Sequence, residues 1–225
     1  MPETTSKKMV WDQIGEKLYE TGVEQVGLFP MAGGVYGKGV PWNGVTAFNV
    51  TPSGAEPNKF YANNKNYLTL MSPEEVGATV ECYTYPKEFK QCLGYAAPAA
   101  GVYIGQQART AFGLVAKTIV GNDTEMNKHG YKLHILYNAL AKPSEEAHAT
   151  VNESIEPGTF SYELSTTPIT VPGCEPAAYI CIDSTEADAE KLKALEAIIY
   201  GSDEVEPKLP LPDEVLTTLG TVAAG

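Results

Sequence analysis

The chain has 225 residues, of which 43% are apolar and 20% charged, and this balance is typical of a folded globular protein rather than a largely disordered one. Its 28 acidic residues outnumber its 16 basic residues, and the net charge of −12 argues against nucleic-acid binding through a general basic surface. Abundant glycine, proline and tyrosine, with few helix-forming runs, indicate short strands joined by many turns.

The first half of the chain predicts strands separated by loops. Residues 1–10 are expected to form a flexible arm, and Trp11–Leu18 a short helix or turn. A long loop rich in glycine and proline is predicted over 30–44, where Tyr36 and Trp42 indicate docking against another surface. The strands predicted in this half are Tyr19–Thr21, Glu24–Phe29, Val45–Thr51, Lys59–Ala62, Asn66–Met71 and Ala78–Tyr85.

The middle of the chain contains the clearest strand pair. After one or two helical turns over Pro86–Leu93 and an uncharged loop over 94–105, two apolar runs, Arg109–Val120 and Tyr131–Ala141, flank the polar turn Gly121–Thr124. Side chains in both runs alternate with a period of two, which predicts a sheet with one face more buried than the other. Neither run carries a group suited to catalysis, so we interpret the pair as a wall.

The last third predicts three strands and one clear helix. The helix spans about 184–200, follows three candidate N-caps at Asp183–Thr185 and ends at Gly201. Its apolar stripe predicts that it covers a face or an edge of the sheet; the stripe consists of Leu192, Leu195, Ile198 and Ile199. The tail over 206–225 starts with prolines and then predicts a short helix over Asp213–Leu219. The strands are Ala149–Ile155, Thr159–Ser165 and Ala177–Ile182. We therefore expect a mainly β fold in a single domain over 1–225.

The cysteines and the start of the chain exclude several classes. There is no CxxC pair and no histidine at ligand spacing from a cysteine, so neither a zinc site nor a disulfide framework is expected. Met1–Lys8 lacks the apolar segment of a signal peptide, and no run approaches the roughly 18 apolar residues of a membrane span. We expect synthesis in a reduced cytosol and no membrane insertion.

No catalytic motif is evident. Gly37–Gly39 lacks the spacing of a phosphate-binding P-loop, and there is no GxSxG nucleophile elbow. His129 and His134 lie on opposite faces of an extended segment, and His148 stands alone. The carboxylate pairs Glu74–Glu75 and Glu145–Glu146 fall in polar turns, where we expect them to be solvated. We therefore predict no enzyme activity and no catalytic, cofactor-binding or metal-binding residue.

Six blocks of sequence, in order from Trp11 to Val215, together resemble the major tail protein of siphophages and prophages of Gram-positive bacteria. Each block is weakly informative alone, whereas the ordered set is specific. The blocks are WDQIGEKLYETG (Trp11–Gly22), GVPWNGVTAFN (Gly39–Asn49), GATVECYTYPKEF (Gly77–Phe89), GQQARTAFGL (Gly105–Leu114), HGYKLHILYNALA (His129–Ala141) and KLPLPDEV (Lys208–Val215).

The resemblance implies a tail tube protein with a β-sandwich or barrel-like fold and one flanking helix. Such proteins form hexameric rings that stack around the tape measure protein, and the lumen later conducts the phage DNA. Further implied partners are the tail terminator and the distal tail or baseplate proteins, and the implied location is the virion, after synthesis in the host cytoplasm. The family has no catalytic residues, cofactor or metal. In a ring, the arm over 1–10 and the loop over 30–44 are candidate contacts between subunits.

The negative charge has a use in such a tube. Six copies at −12 each give −72 per ring, and a Debye length of about 8 Å confines the resulting field to the wall, where it hinders DNA adsorption. Strand alternation makes Glu81 and Glu163 candidates for the lumen. Two alternatives remain open: a β-sandwich tail component that binds a receptor or carbohydrate, which needs an exposed aromatic platform, and a β-rich hydrolase, which needs clustered carboxylates.

Overall fold

Long antiparallel strands dominate the structure, a computed structural model that describes residues 8–148, 150 and 157–220. The strands are β1 (Tyr19–Ala32), β2 (Val35–Tyr36), β3 (Val40–Pro41), β4 (Val45–Gly54), β5 (Pro57–Ala62), β6 (Lys65–Met71), β7 (Glu74–Cys82), β8 (Ala96–Ala99), β9 (Val102–Ile104), β10 (Phe112–Asn122), β11 (Met126–Ala141), β12 (Phe160–Thr166) and β13 (Tyr179–Asp183). The helices are α1 (Phe89–Cys92), α2 (Ala189–Tyr200) and α3 (Pro212–Leu219). The predicted mainly β fold is confirmed.

One antiparallel sheet folds over on itself to enclose the main core. Its order is β2-β1-β10-β11-β12-β7-β4, with β13 added to β11 and β3 added to β1. The part made of β4, β7 and β12 packs against the part made of β1, β10 and β11, and the first core fills the space between them. Its side chains include Leu28, Trp42, Val80, Cys82, Phe89, Phe112, Leu114, Leu136, Tyr162 and Leu164.

A second core covers the opposite face of β10 and β11. Helices α2 and α3 pack there together with the chain between them, and the side chains include Val115, Leu133, Ile135, Tyr137, Leu192, Leu195, Ile199, Leu209 and Val215. The predicted alternation of the central strands is confirmed, since Leu114 and Ala116 enter the first core and Val115 the second. The expectation that one face is more buried was wrong, because the helices bury the second face as fully as the other half of the sheet buries the first.

Strand β11 joins the two halves of the sheet by bending at Asn138. This residue has a left-handed backbone conformation (φ 47°), which asparagine tolerates better than most residues. Before the bend β11 pairs with β10 and β13, and after it Ala139–Ala141 pair with Leu164–Thr166 of β12. The extra residue reverses the alternation, so that Leu136 and Ala139 both point into the first core.

Two predictions about the first half of the chain need correction. The two strands predicted over Tyr19–Phe29 form one strand, β1, which is interrupted by bulges near Gly22 and Gln25, both at positive φ. The predicted loop over 30–44 contains the end of β1 and the strands β2 and β3. Of the helix or turn predicted over Trp11–Leu18, the structure has the turn.

The loop predicted over 94–105 contains a hairpin of β8 and β9, which the sequence did not predict because neither its alanine-rich first strand nor its three-residue apolar second strand alternates between polar and apolar residues. The turn predicted at Glu74–Glu75 is the start of β7, where these residues pair with Gly54 and Ser53. The strands predicted over Lys59–Ala62 and Asn66–Met71 are confirmed as β5 and β6; they pair as a hairpin, and Asn63 and Asn64, both at positive φ, form its two-residue turn. The central turn is shorter than predicted, since β10 extends to Asn122.

Helix α2 begins five residues later than predicted, because Asp188 is its N-cap and accepts hydrogen bonds from the backbone amides of Glu190 and Lys191. Asp183 instead accepts hydrogen bonds from Thr185 in a preceding turn. The helix ends at Gly201 as predicted. The segment predicted as a C-terminal tail packs against the body up to residue 220: Leu209 and Val215 are buried, and α3 confirms the predicted short helix.

The strands predicted over Thr159–Ser165 and Ala177–Ile182 correspond to β12 and β13, shifted by one or two residues. The strand predicted over Ala149–Ile155 lies outside the described residues except for Thr150, which has no regular structure. Residues 1–7 of the predicted arm also lie outside them.

Candidate assembly surfaces

The outer face of β4, β7 and β12 is a polar surface built by alternation. Ala78, Val80 and Cys82 of β7 point into the first core, so their neighbours in the strand point outward, and the register places outward residues of β4 and β12 beside them. We call this surface the polar face. It consists of Ala47, Asn49, Thr51 and Ser53 of β4, Glu75, Gly77, Thr79 and Glu81 of β7, and Ser161, Glu163 and Ser165 of β12.

The polar face is hydrophilic and acidic. Its side chains are small apart from three carboxylates, Glu75, Glu81 and Glu163. Lys142 lies beside Glu163, with 3.3 Å between Nζ and Oε2, in a pair that is exposed and therefore weak. Glu81 and Glu163, the two carboxylates singled out from the sequence, thus share one exposed face. Glu75 belongs with them and was missed because its position was interpreted as a turn.

An unpaired strand edge borders this face. Strand β4 pairs with β7 on one side and, within the described part of the chain, has no hydrogen-bonded strand on its other side. Such an edge can pair with a strand of another molecule.

The hairpin of β5 and β6 presents apolar side chains to solvent. Both of its strands are exposed along their whole length, and among the described strands each pairs only with the other. Phe60, Leu68 and Leu70 share one of its faces, because the register places Phe60 opposite Leu68 and Asn58 opposite Leu70. Each of the three side chains is between 45% and 51% exposed. Exposed apolar patches of this kind are common at the interaction sites of other proteins.

A second exposed apolar segment precedes β1. Met9, Val10, Trp11, Ile14 and Leu18 are all exposed there, and Trp11 is 75% exposed. The segment is held to the turn between β10 and β11, because the Gly15 amide donates to Asp123 Oδ1 at 3.0 Å and Asn122 Nδ2 donates to the Gly15 carbonyl. These hydrogen bonds hold the segment through the backbone of Gly15, and its apolar side chains remain exposed to solvent.

The aromatic residues of segment 30–44 dock against their own chain. Trp42 is 3% exposed, packs on Phe89 with 4.4 Å between ring centroids, and donates from Nε1 to the Thr84 carbonyl at 2.9 Å. The Tyr36 hydroxyl accepts a hydrogen bond from the Asn138 amide at the bend of β11. The prediction that both aromatic side chains pack against a surface is confirmed, and that surface belongs to their own chain.

The three histidines are not brought together. His134 is buried between the hydroxyls of Thr118 and Tyr179, and burial lowers its pKa. His129 contacts Glu125 and Asn122, and His148 is exposed. Among the residues that the structure describes, no group of three or more histidine, cysteine or acidic side chains could hold a metal ion.

Glu146 has a role that the sequence did not reveal. It was expected to be solvated, but it is half-buried and accepts hydrogen bonds from the hydroxyls of Tyr162 at 3.0 Å and Tyr85 at 3.3 Å. Burial, reinforced by the Glu146 charge, raises the pKa of Tyr85 to about 12, and burial also raises the pKa of Tyr162. Both hydroxyls therefore stay protonated and donate. The arrangement attaches the segment after β11 to the end of the first core.

Comparison of the chain with protein-family models and with curated proteins gives no match. Of the helices described, none has the length and apolar character needed to cross a membrane.

Proposed function

We propose that the protein is a tail tube protein of a siphophage or prophage, a structural virion protein that assembles into stacked rings and performs no reaction. The rings, hexameric in the family that the sequence blocks resemble, surround the tape measure protein during assembly. They are closed off by terminator and distal tail proteins, and the lumen conducts DNA during ejection. The single observation that carries the proposal is the polar face bordered by the unpaired edge of β4.

The chemistry of the polar face suits the inside of a DNA conduit. Apolar side chains would adsorb bases and basic side chains would bind phosphates; its rows contain no basic residue, and their one apolar side chain is the methyl group of Ala47. The carboxylates Glu75, Glu81 and Glu163 repel phosphate at short range. Pairing of the β4 edge with a neighbouring copy would extend the face around the lumen and would protect an edge that otherwise invites aggregation.

The exposed apolar segments support self-assembly. The hairpin of β5 and β6 and the segment around Trp11 expose apolar surface that an isolated soluble domain would normally cover. Obligate interfaces bury roughly 2,000–5,000 Å² in total, which requires several such surfaces on each subunit. Stacking of identical rings is a head-to-tail contact that does not close, so it produces an open filament.

The test is electron microscopy of the purified protein and of the phage that carries it. We expect hollow rings or tubes in negative stain of concentrated protein, and immunogold label along the whole tail shaft of the virion. Label confined to the tail tip, or monomers at high concentration together with an unlabelled shaft, would contradict the proposal.

The alternative of a receptor- or carbohydrate-binding tail component has one observation in its favour. Tyr61 and Tyr67 are 70% and 78% exposed on the β5–β6 hairpin, and exposed aromatic rings can stack on sugars. This function places the protein at the tail tip and makes Tyr61→Ala and Tyr67→Ala abolish binding to host cell walls. The tube proposal instead predicts that cell-wall binding by the purified protein is absent.

A further inference from the structure

The turn between β10 and β11 attaches segment 9–18, which carries the exposed apolar side chains before β1, to the body of the molecule. The Gly15 amide donates to Asp123 Oδ1 at 3.0 Å, and Asn122 Nδ2 donates to the Gly15 carbonyl at 3.1 Å. Gly15 has a left-handed backbone conformation (φ 90°), which glycine adopts without strain, and it bonds to the turn through both its amide and its carbonyl. The hold on the segment therefore depends on two neighbouring side chains of the turn.

Asn122 is buried and uses both ends of its side-chain amide. It is 3% exposed, and its Oδ1 accepts from the Glu125 amide at 2.6 Å and from the amide and hydroxyl of Thr124, each at 3.2 Å. Its Nδ2 carries two N–H groups, of which one faces the Gly15 carbonyl and the other faces His129 Nδ1 at 3.2 Å. Because the amide is planar, a rotation that moves Nδ2 away from His129 also disturbs its bond to Gly15.

The same nitrogen of His129 has a second partner with the opposite requirement. Nδ1 lies 2.8 Å from Glu125 Oε2, and a carboxylate only accepts hydrogen bonds. Nδ1 needs a proton to donate to Glu125 and must lack one to accept from Asn122, so it cannot bond to both at once. In the charged imidazolium Nδ1 always carries a proton. Charging the ring therefore selects Glu125 and leaves the second N–H of Asn122 facing another N–H.

Charged groups of both signs surround His129. The ring lines a cleft of about 420 Å³, to which α2 contributes the uncharged residues Ala189 and Leu192. Glu125 contacts the ring directly, so it is the partner with which a charged His129 pairs. The charged side chains around the ring are Glu125 of the turn, Asp183 of β13, Glu24 of β1, Lys117 of β10 and Lys128 of β11.

We propose that this turn is an acid-sensitive latch on segment 9–18. While His129 is neutral, Asn122 bonds to both His129 and Gly15, and the segment is held. When the ring gains a proton it pairs with Glu125, so the Asn122 amide turns away and its hydrogen bond to Gly15 weakens. Histidine side chains gain a proton between about pH 8 and about pH 5, so the segment is held at neutral pH and loosened in mild acid. The latch is independent of the proposed function, and it controls how the molecule presents the apolar side chains of the segment.

Hydrogen exchange measured by NMR on the full chain in dilute solution tests the latch, with the Gly15 amide as the probe. The protection factor, which is the intrinsic exchange rate divided by the observed rate, removes the ordinary effect of pH on exchange. Between about pH 7.5 and about pH 5.5 we expect it to fall about threefold to tenfold, the effect of losing one hydrogen bond. The amides of β10 and β11 in the same spectra show that the fold stays intact.

Three variants assign the effect to its residues. His129→Gln keeps an acceptor for Asn122 and cannot gain a proton, so the fall should disappear. His148→Gln, at an exposed histidine elsewhere, is the matched control and should retain it. Glu125→Gln should move the fall to lower pH, because the charged ring loses its carboxylate partner.

A Gly15 protection factor that does not change with pH in the unmodified protein would overturn the latch. An equal fall in His129→Gln would overturn it as well, because the loosening would then have another cause. A fall at unchanged pH in Glu125→Gln would overturn the pairing with the carboxylate, on which the latch depends.

Discussion

His134 illustrates how a polar side chain is accommodated inside the sheet. Its ring nitrogens lie 2.8 Å from the Thr118 hydroxyl and 2.7 Å from the Tyr179 hydroxyl, so both are satisfied without water. Neutral imidazole needs one donor and one acceptor, and hydroxyl groups can supply either. Burial disfavours the charged ring and lowers its pKa; Lys132 acts in the same direction, whereas Glu20 opposes it. The residue is therefore held neutral in the folded state.

The resulting pH dependence has a definite sign. In the unfolded chain His134 has a pKa of about 6.5, above its folded value, so the unfolded state binds more protons in the interval between them. The free energy of unfolding should therefore rise with pH across that interval, below about 6.5. Urea unfolding at pH 5, 6 and 7 measures this rise, and His134→Gln should reduce it. His148→Gln, at an exposed histidine, should not; an equal rise in wild type and His134→Gln would contradict the assignment.

Helix α2 covers a sheet face formed by β10 and β11, which are distant from it in the sequence. Leu192, Leu195 and Ile199 form its buried stripe and pack on the second face of β10 and β11. Without this cover, the side chains of Val115 and Ile135, both fully buried, would be exposed to water. The helix is therefore a structural layer of the sandwich.

Truncation of the helix stripe tests this role. Leu195→Ala removes a fully buried side chain and should lower the free energy of unfolding by about 2–5 kcal/mol, through lost burial and the remaining cavity. Lys193→Ala, on the exposed side of the same helix, should change it by less than about 0.5 kcal/mol. Chemical denaturation of both variants is the measurement, and equal effects would show that α2 is not part of the cooperative core.

At the scale of the whole molecule, the packing of the layers leaves one acidic sheet surface, the polar face, exposed to solvent. The sandwich buries both faces of β10 and β11 but only one face of β4, β7 and β12, so the polar face is the sheet surface left to solvent. Screening at physiological salt limits its field to about 8 Å. In the proposed tube, the carboxylates would thus hinder adsorption of DNA at the wall without driving DNA along the tube.

Reversal of charge on the polar face tests the proposal that this face lines the lumen of the tube. Glu75→Lys with Glu81→Lys raises the net charge of each copy by four and should slow or block genome ejection, because phosphates then bind the wall. Tubes should still form. The double variant Asp203→Lys with Glu204→Lys makes the same change at exposed positions off this face and should leave ejection unchanged. Dye fluorescence of released DNA gives the rate; normal ejection in the first variant would exclude these carboxylates from the lumen.

Local periodicity in the sequence determined the mainly β class, the alternation of the central strands, the apolar stripe of α2 and its end at Gly201, because these depend on neighbours a few residues apart. The alternation of side chains along the strands also predicted that Glu81 and Glu163 lie on the same side of the sheet. Only the tertiary structure decided that both faces of β10 and β11 are buried, that Trp42 faces inward, that Glu146 is held by two tyrosines and that two apolar hairpins stay exposed. Burial depends on which distant segments pack against a residue, and hydrophobic periodicity in one strand does not specify its partner.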